Sequence, residues 1–377
     1  MIVTARDRAV KTSAWVLYSL IVLEILFMVS PFAAYYYSIY ATPLNALQEF
    51  QSTAWLTMYI LPHFTYSESW LANGLILISW PLILIGIVLF VLGFCQIYWS
   101  KFTAKGAVEV GLYRFVRHPQ YVALAIIGLG TSLYWSRFIV VIAFVSMLCI
   151  YYFLARVEEN VCIVKFGQPY RDYMDRTGMF LPRSWEARWR ALGIRLPNKK
   201  WLRHAVTVAL LIGVLALTVS TTHWLRSHVV DSLQIDVGQE RVSVFLAPVN
   251  PETIGAVSAL LNEAELPGTL AYVAPSSWQI PELGFTGSAQ SYQREGSEEL
   301  LHPTTHGNPL TFDQDHFSVL LVETVPVGGE LEGIDRLTKA LNIRPIQIAE
   351  LDLVSGKISE RRTADEGDWA GIPVPTF

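Results

Sequence analysis

The chain has 377 residues, 52% hydrophobic and only 16% charged, with a mean hydropathy of +0.37. A typical soluble domain carries about 25% charge, so this composition excludes a disordered chain and argues against a wholly soluble one. The net charge of −4 hides a split, because residues 1–225 hold 19 Lys and Arg against 10 Asp and Glu while residues 226–377 hold 9 against 22. Such asymmetry points to two parts in different environments. Cys95, Cys149 and Cys162 all lie in or beside apolar runs of the first part, so they form no disulfide framework and read as packing residues.

In chain order, Ser13 to Tyr40 carries one charge, Glu24, and follows Arg6, Arg8 and Lys11. A transmembrane helix needs about 20 mostly apolar residues. The run is too long for a signal peptide and lacks a small-residue cleavage site, so it is expected to be a first span. Glu24 inside it is costly unless it faces other helices. Residues 52–64 are short and contain Pro62, and read as interfacial. Residues 71–99 form a second span with a kink expected at Pro81 and Tyr98–Trp99 at the interface. Residues 120–155 are apolar apart from Arg137 and predict two helices joined by a turn at Tyr134–Trp135–Ser136–Arg137. Residues 202–223 give a last span behind Lys199, Lys200 and Arg203.

The loops set an orientation. Residues 41–70 carry Glu49 and Glu68 and no Lys or Arg, whereas Lys101–Arg117 carries four basic residues and 156–203 carries eleven. The positive-inside rule puts the N-terminus, 100–118 and 156–203 in the cytoplasm. Five spans then place the acidic part on the opposite face. The segment 183–203, with Trp185, Trp189 and Trp201, reads as a membrane-surface helix and not as a nucleic-acid patch.

After residue 225 the pattern changes. Val242–Ala247 predicts a strand, and 251–265 a helix with Asn250 as cap and Pro251 at its first position. Thr269–Ala274 predicts a strand, 275–312 a polar loop, Phe317–Val325 a strand, Gly333–Asn342 a helix and Pro345–Leu353 a strand. The tail after Ser359 reads as flexible. The expected fold class is an all-α polytopic membrane core of about five transmembrane helices, including a helical hairpin, over 1–225. A small α+β, ferredoxin-like soluble domain over 226–377 follows it.

The chemistry concentrates in two stretches that flank the predicted hairpin. The first is Gly111-Leu-Tyr-Arg-Phe-Val-Arg117-His118-Pro119-Gln-Tyr121; the second runs from Arg156 through Glu158, Glu159, Phe166, Gly167, Tyr170 and Tyr173 to Pro182. Taken singly, Arg114 and Arg117 read as positive-inside anchors, Glu158–Glu159 as a solvated helix end, and Tyr170 and Tyr173 as interfacial aromatics. Together, in this order and at this separation, they resemble the isoprenylcysteine carboxyl methyltransferases and related phospholipid methyltransferases. That family shares Gly-x-Tyr-x-x-x-Arg-His-Pro-x-Tyr, a hairpin, a Glu-Glu pair, Phe-Gly-x-x-Tyr-x-x-Tyr and a closing Pro. The resemblance covers about residues 75–185, with one departure: Ala123 stands where the family usually has Gly.

The resemblance implies an integral-membrane enzyme that uses S-adenosylmethionine in a pocket unlike the soluble Rossmann type. It assigns Arg117, His118 and Glu159 to catalysis, and Tyr113, Arg117, His118, Pro119, Tyr121, Glu158, Glu159, Tyr170 and Tyr173 to the cofactor. No metal is expected. The residue types suit that cofactor, because its amino group and ribose diol need carboxylate acceptors, its carboxylate an Arg or backbone N–H, and its sulfonium aromatic faces. Pro119 is placed to start a helix. Adjacent glutamates on a helix point about 100° apart, so one is expected to face the cofactor and the other to orient a neighbour. Gly128-Leu-Gly130 lies in an apolar helix and reads as packing.

The expected partners are the lipid bilayer and a lipophilic methyl acceptor, either a prenylcysteine-like carboxylate or a phospholipid amine, with no nucleic acid. Residues 226–377 offer a surface for a protein partner or oligomer. The expected location is a membrane such as a bacterial inner membrane, with the site facing the cytoplasm. Methylation of a small thiol, and a non-catalytic membrane module, are the alternative readings. His302, His306 and His316 near Asp313 and Asp315 are a weak metal pattern, since Pro303 and Gly307 break the helix that would align them.

Overall fold

The computed structural model describes residues 26, 29–36, 38–39, 41–48, 50, 52–62, 67–103, 108–191, 200–264, 266–280, 285–288, 311–325, 330–340 and 342–364. Most of the expected first span, with Glu24, lies outside the described residues, as do His302 and His306.

The first helices are α1 (Ala41–Gln48), α2 (Trp70–Phe102), α3 (Pro119–Tyr134) and α4 (Phe138–Phe166). They are followed by α5 (Gln168–Arg176), α6 (Arg183–Ala191) and α7 (Lys200–Val230). Three stretches are long and apolar enough to cross a membrane: Trp70–Ser100, Phe138–Phe166 and Val208–Val230. Their side chains are largely uncovered, with Leu77, Leu84, Val164 and Leu217 all exposed, as faces meant for lipid must be. Helix α2 continues through Pro81. The hairpin is present, since α3 ends at Tyr134 and α4 starts at Phe138.

The chain divides into two compact units. One comprises Met1–Ser38, Leu82–Leu129 and Ala143–Ile212; the other comprises Ile39–Pro81, Gly130–Ile142 and Gly213–Phe377. In the first unit, α2 and α3 approach closely. A Cβ on Gly86 would meet the Ala123 carbonyl oxygen at 2.9 Å and Ile127 Cγ1 at 2.5 Å. Ala123 is fully buried, so the small residue that close packing requires is supplied by the facing helix. Gly128 is a packing residue too: a Cβ there would strike the Phe144 ring, and its carbonyl accepts the Tyr35 hydroxyl at 2.9 Å.

In the second unit, residues 52–62 form no membrane-crossing helix. A 3-10 turn at Ala54–Thr57 leads into an extended strip that docks on the hairpin tip. There Ile60 N donates to Ser136 O (2.6 Å) and Phe138 N to Met58 O (3.2 Å). Arg137, buried, donates to the Thr57 carbonyl and the Tyr59 hydroxyl, both at 3.0 Å, and lies over the Tyr59 ring at 4.4 Å.

The rest of this unit is a six-stranded sheet in the order β1-β2-β3-β7-β8-β9. Its strands are β1 (Ile235–Val237), β2 (Val242–Phe245), β3 (Leu270–Pro275), β7 (His316–Val325), β8 (Asn342–Asp352) and β9 (Lys357–Thr363). A separate small sheet pairs β4 (Ser277–Ile280) with β5 (Phe285–Ser288) and β6 (Thr311–Phe312). It stands inside the stretch expected to be loop. The helix α8 (Pro251–Glu263) is capped as expected, with the Asn250 side chain accepting Thr253 N at 2.7 Å. The second expected helix shrinks to one turn, α9 (Asp335–Thr338).

The element order β-α-β-β-α-β is therefore found, but the ferredoxin-like pairing is not. That arrangement places the first strand between the third and fourth. Here β2 instead pairs in parallel with β3, across the α8 crossover, and β3, β7 and β8 continue antiparallel. The tail expected to be flexible forms β9 as far as Thr363, because its backbone completes the edge of β8.

Both faces of the sheet are buried, which explains its nearly continuous apolar strands. Phe245, Val273, Phe317, Val319 and Leu321 pack with Val257 and Leu261 of α8. The alternating residues Val244, Leu270, Tyr272, Leu320 and Val322 pack with Tyr59, Leu61, Ala72, Ile76, Val229 and Val230. These last come from before the hairpin and from the end of α7, so the sheet's second face is closed by residues far away in sequence.

Candidate active site

The two motif stretches meet within the first unit. The 3-10 turn Gly111–Arg114 opens the first of them. Gly111 has φ +62°, and a Cβ there would strike the Gln96 amide that accepts Leu112 N at 3.0 Å. Only glycine meets both demands. His118 sits just before α3, with Pro119 as the first helical residue, the position where proline lacks nothing it would need. At the other end, Gly167 with φ +67° breaks the chain between α4 and α5. Helix α5 then turns Tyr170 and Tyr173 inward.

At the centre is a buried ion pair. Arg117 Nε donates to Glu159 Oε1 at 2.7 Å, with the two side chains only 5% and 3% exposed. Arg117 Nη1 donates to the Met174 carbonyl (3.1 Å) and to the Thr177 carbonyl. The guanidinium thus binds a carboxylate and the carbonyls around the end of α5, and it orders that turn about itself. Tyr173 donates to the Tyr113 carbonyl at 2.6 Å, tying α5 to the first motif. Tyr170 lies 5.7 Å from Tyr173, ring to ring. Burial raises the pKa of both phenols, so both are neutral hydrogen-bonding groups.

The glutamates divide as a helical pair must. Glu159 points inward to Arg117. Glu158 has a side chain 44% exposed; its Oε1 accepts the Tyr121 hydroxyl at 2.5 Å and its Oε2 lies 3.3 Å from His118 Nδ1. His118 Nε2 is 3.6 Å from Glu159 Oε1, so the imidazole stands between the two carboxylates. It also stacks on Tyr121 (5.7 Å, 13°), and Tyr121 stacks on Tyr151 (4.7 Å, 15°). Phe180 lies on the ring as well, at 5.8 Å.

Burial alone would lower the His118 pKa, but the hydrogen bonds and charges of Glu158 and Glu159 outweigh it and raise the pKa above the ordinary value. The imidazolium therefore stabilises the fold fully below about pH 6.5, and that contribution is lost as pH rises through the raised folded-state pKa. The unfolding temperature of the wild type in detergent is expected to fall between neutral and alkaline pH more steeply than that of His118→Gln. Parallel pH profiles for the two proteins would contradict this.

All nine sequence-predicted residues fall in this cluster or directly against it. Tyr151 and Phe180 were not anticipated; Tyr151 sits one and two helical turns before Ala155 and Glu159 on α4, a spacing that marks the shared face. His316 lies in the second unit, 2.9 Å from Asp313 through Nδ1. Among the described residues, no group of His, Cys, Asp and Glu is arranged to hold a metal ion.

Apolar helices of membrane-spanning length and an ion pair buried at the foot of a helical hairpin define a membrane protein with an interior polar site. Residues 69–169 match the family model of the phospholipid methyltransferases. The matched stretch runs from the start of α2 to Pro169, so it includes Arg117, His118, Glu158 and Glu159 and ends just before Tyr170. No curated protein and no solved structure matches the chain.

Proposed function

We propose that this protein transfers a methyl group from S-adenosylmethionine to a lipophilic acceptor, either a prenylcysteine-like carboxylate or a phospholipid amine. The observation that carries the reading is the Arg117–Glu159–His118–Glu158–Tyr121 network, buried except at Glu158, inside the family-matched segment. Its donor set fits the cofactor. Glu158 keeps part of its carboxylate exposed for an amino group or a ribose diol, and the stacked rings of Tyr121 and Tyr151 offer the aromatic faces that favour a sulfonium. Tyr113, Tyr170 and Tyr173 wall the site, and Pro119 aims the first turn of α3. When bound, S-adenosylmethionine supplies an electrophilic methyl group.

The chain's own part is to orient and to exclude water. Arg117 and Glu159 hold each other and the surrounding turns in place. The Glu158 and Glu159 carboxylates beside His118 raise its pKa, which favours a role as hydrogen-bond donor over one as base. A carboxylate or thiolate acceptor needs no base. For an amine acceptor, the half-exposed Glu158 is the group able to take the proton.

The finer architecture we propose has five spans, counting residues 13–40 and the α3–α4 hairpin, with the basic segments and the site at the cytoplasmic face. The acidic residues 226–377 then stand on the opposite side, as in a bacterial inner membrane, available to a partner or a second copy. The test is calorimetric binding of S-adenosylmethionine to the purified protein in detergent, followed by labelled methyl transfer to total membrane lipid and to prenylcysteine mimics. Binding with a labelled lipid product is expected. A folded protein that binds no cofactor would overturn the reading.

A further inference from the structure

We infer that Glu186, on the basic surface helix α6, is a positioning residue for the Arg117–His118 pair. It lies outside both motif stretches and beyond the family-matched segment. The inference about its effect on the cofactor rests on the methyltransferase reading; the inference about the turn it holds does not.

The argument follows one short turn, residues 177–182. On its inner side the carbonyls of this turn are taken by the first motif. Arg117 N donates to Gly178 O at 2.9 Å and His118 N to Met179 O at 3.1 Å, a parallel bridge centred on Val116 and Gly178. The Arg117 guanidinium takes the Thr177 carbonyl as well, and the Phe180 ring lies against His118. Everything that fixes the backbone of Arg117 and His118 from this side therefore belongs to the turn.

On its outer side the turn is held by the start of α6, where Trp185 N and Glu186 N donate to the Pro182 carbonyl and the Glu186 carboxylate takes two more backbone N–H groups. Glu186 Oε1 accepts Met179 N, and Phe180 N at 3.2 Å. Two peptide groups are thus clamped between the motif and Glu186. Charge-assisted bonds from N–H groups to a carboxylate are about twice as strong as neutral ones. The turn also closes tightly at Gly178, where a Cβ would run into the Leu181 carbonyl and approach the Glu186 carboxylate at 3.0 Å.

Position 186 is also chemically singular in its helix. Helix α6 reads Arg-Ser-Trp-Glu-Ala-Arg-Trp-Arg-Ala, and Glu186 is its one acid among three arginines. Placed in the first turn, it meets the favourable end of the helix dipole. Membrane-surface attraction would be served better by a fourth basic residue or a neutral one. Holding the 177–182 turn explains the acid at this position.

The test uses the full-length protein in detergent with two readouts. The first is amide hydrogen exchange, without cofactor, of the segments containing Arg117–His118 and Met179–Phe180. Glu186→Ala is expected to speed exchange in both by about tenfold or more, as loss of bonds to a charged group implies. Glu186→Gln, which keeps an acceptor oxygen, is expected to recover part of the protection. Arg188→Ala, an exposed change on the same helix, is expected to leave it unaltered. The second readout is the KM for S-adenosylmethionine, expected to rise about tenfold or more in Glu186→Ala, with the smaller change in kcat.

Unchanged exchange at residues 117–118 in Glu186→Ala would overturn the inference, as would a Gln variant no better than Ala. If Glu186→Ala fails to fold, the same exchange measurement on Glu186→Gln and Gly178→Ala decides, because Gly178→Ala displaces the turn with Glu186 in place. A wild type that shows the exchange pattern but binds no cofactor would defeat the methyltransferase reading alone.

Discussion

Replacing Glu159 by Gln is expected to cost about 3–5 kcal/mol of stability, the usual penalty for removing one partner of a buried pair. It is also expected to lower methyl transfer by more than about a hundredfold, well beyond the tenfold that each 1.4 kcal/mol represents. Glutamine keeps the shape of the side chain but leaves the Arg117 guanidinium without a counter-charge where neither group sees solvent. That guanidinium also holds the carbonyls of Met174 and Thr177, so the disturbance spreads to the α5 end and to His118.

The double variant Arg117→Met with Glu159→Gln separates the two effects. Without either charge the buried cost disappears, so thermal stability is expected to recover toward the wild type while activity stays lost. Thermal unfolding in detergent and labelled methyl transfer measure the two. Wild-type stability in Glu159→Gln, or activity in the double variant, would sink the assignment of this pair as the centre of the site.

The second large effect concerns the sheet. Residues 226–377 expressed alone are expected to aggregate or stay molten, although they contain all six strands of the sheet, a capped crossover helix and a strongly acidic composition. One face of the sheet is completed by α8, from within the fragment. The other is completed by Tyr59, Leu61, Ala72 and Ile76, which the fragment lacks. Each large apolar side chain left facing water forfeits roughly 1.5–3 kcal/mol, and a domain's total stability is only about 5–15 kcal/mol. Size-exclusion chromatography with light scattering is the check, and a compact monomer would refute the prediction. In the full chain, Tyr59→Ala is expected to lower the unfolding temperature, because the ring packs in that cluster and its hydroxyl and face both meet Arg137.

Much of the site was legible in one dimension because its chemistry depends on local spacing. Pro119 was placed to begin a helix, and adjacent glutamates had to diverge by about 100°. The roles within the pair were not legible. That Glu159 is buried on Arg117 while Glu158 faces outward depends on which side of α4 meets the 3-10 turn and α5. Arg117 itself looked suited to hold a ligand's carboxylate; its bonds to Glu159, Met174 and Thr177 turn it into the structural centre of the cluster. Tyr151 and Glu186 had only faint signals, the helical spacing of Tyr151 to Glu159 and the one acid of a basic helix, and neither says what the side chain meets.

The sheet shows the same division. Alternating apolar residues located β2, β3, β7 and β8, and the Asn250–Pro251 start located α8, because these depend on neighbours one to four residues away. Strand order did not follow from the element order: the same β-α-β-β-α-β string serves several pairings, and here β2 pairs with β3 in parallel across α8. The edge strand β9 was missed because Lys357–Thr363 is too polar to look like a strand and owes its conformation to the free edge of β8.

Taken by itself, the sequence determined the membrane character, the hairpin, the basic and acidic halves and the two motifs that meet at the site. All of these rest on composition and on contacts close along the chain. The tertiary structure alone decided which carboxylate is buried, what clamps the 177–182 turn, and that Tyr59, Leu61, Ala72 and Ile76 close the second face of a sheet some 170 residues later. These rest on burial and on bonds between distant segments, where the energy of a contact depends on what surrounds it and not on which residue comes next.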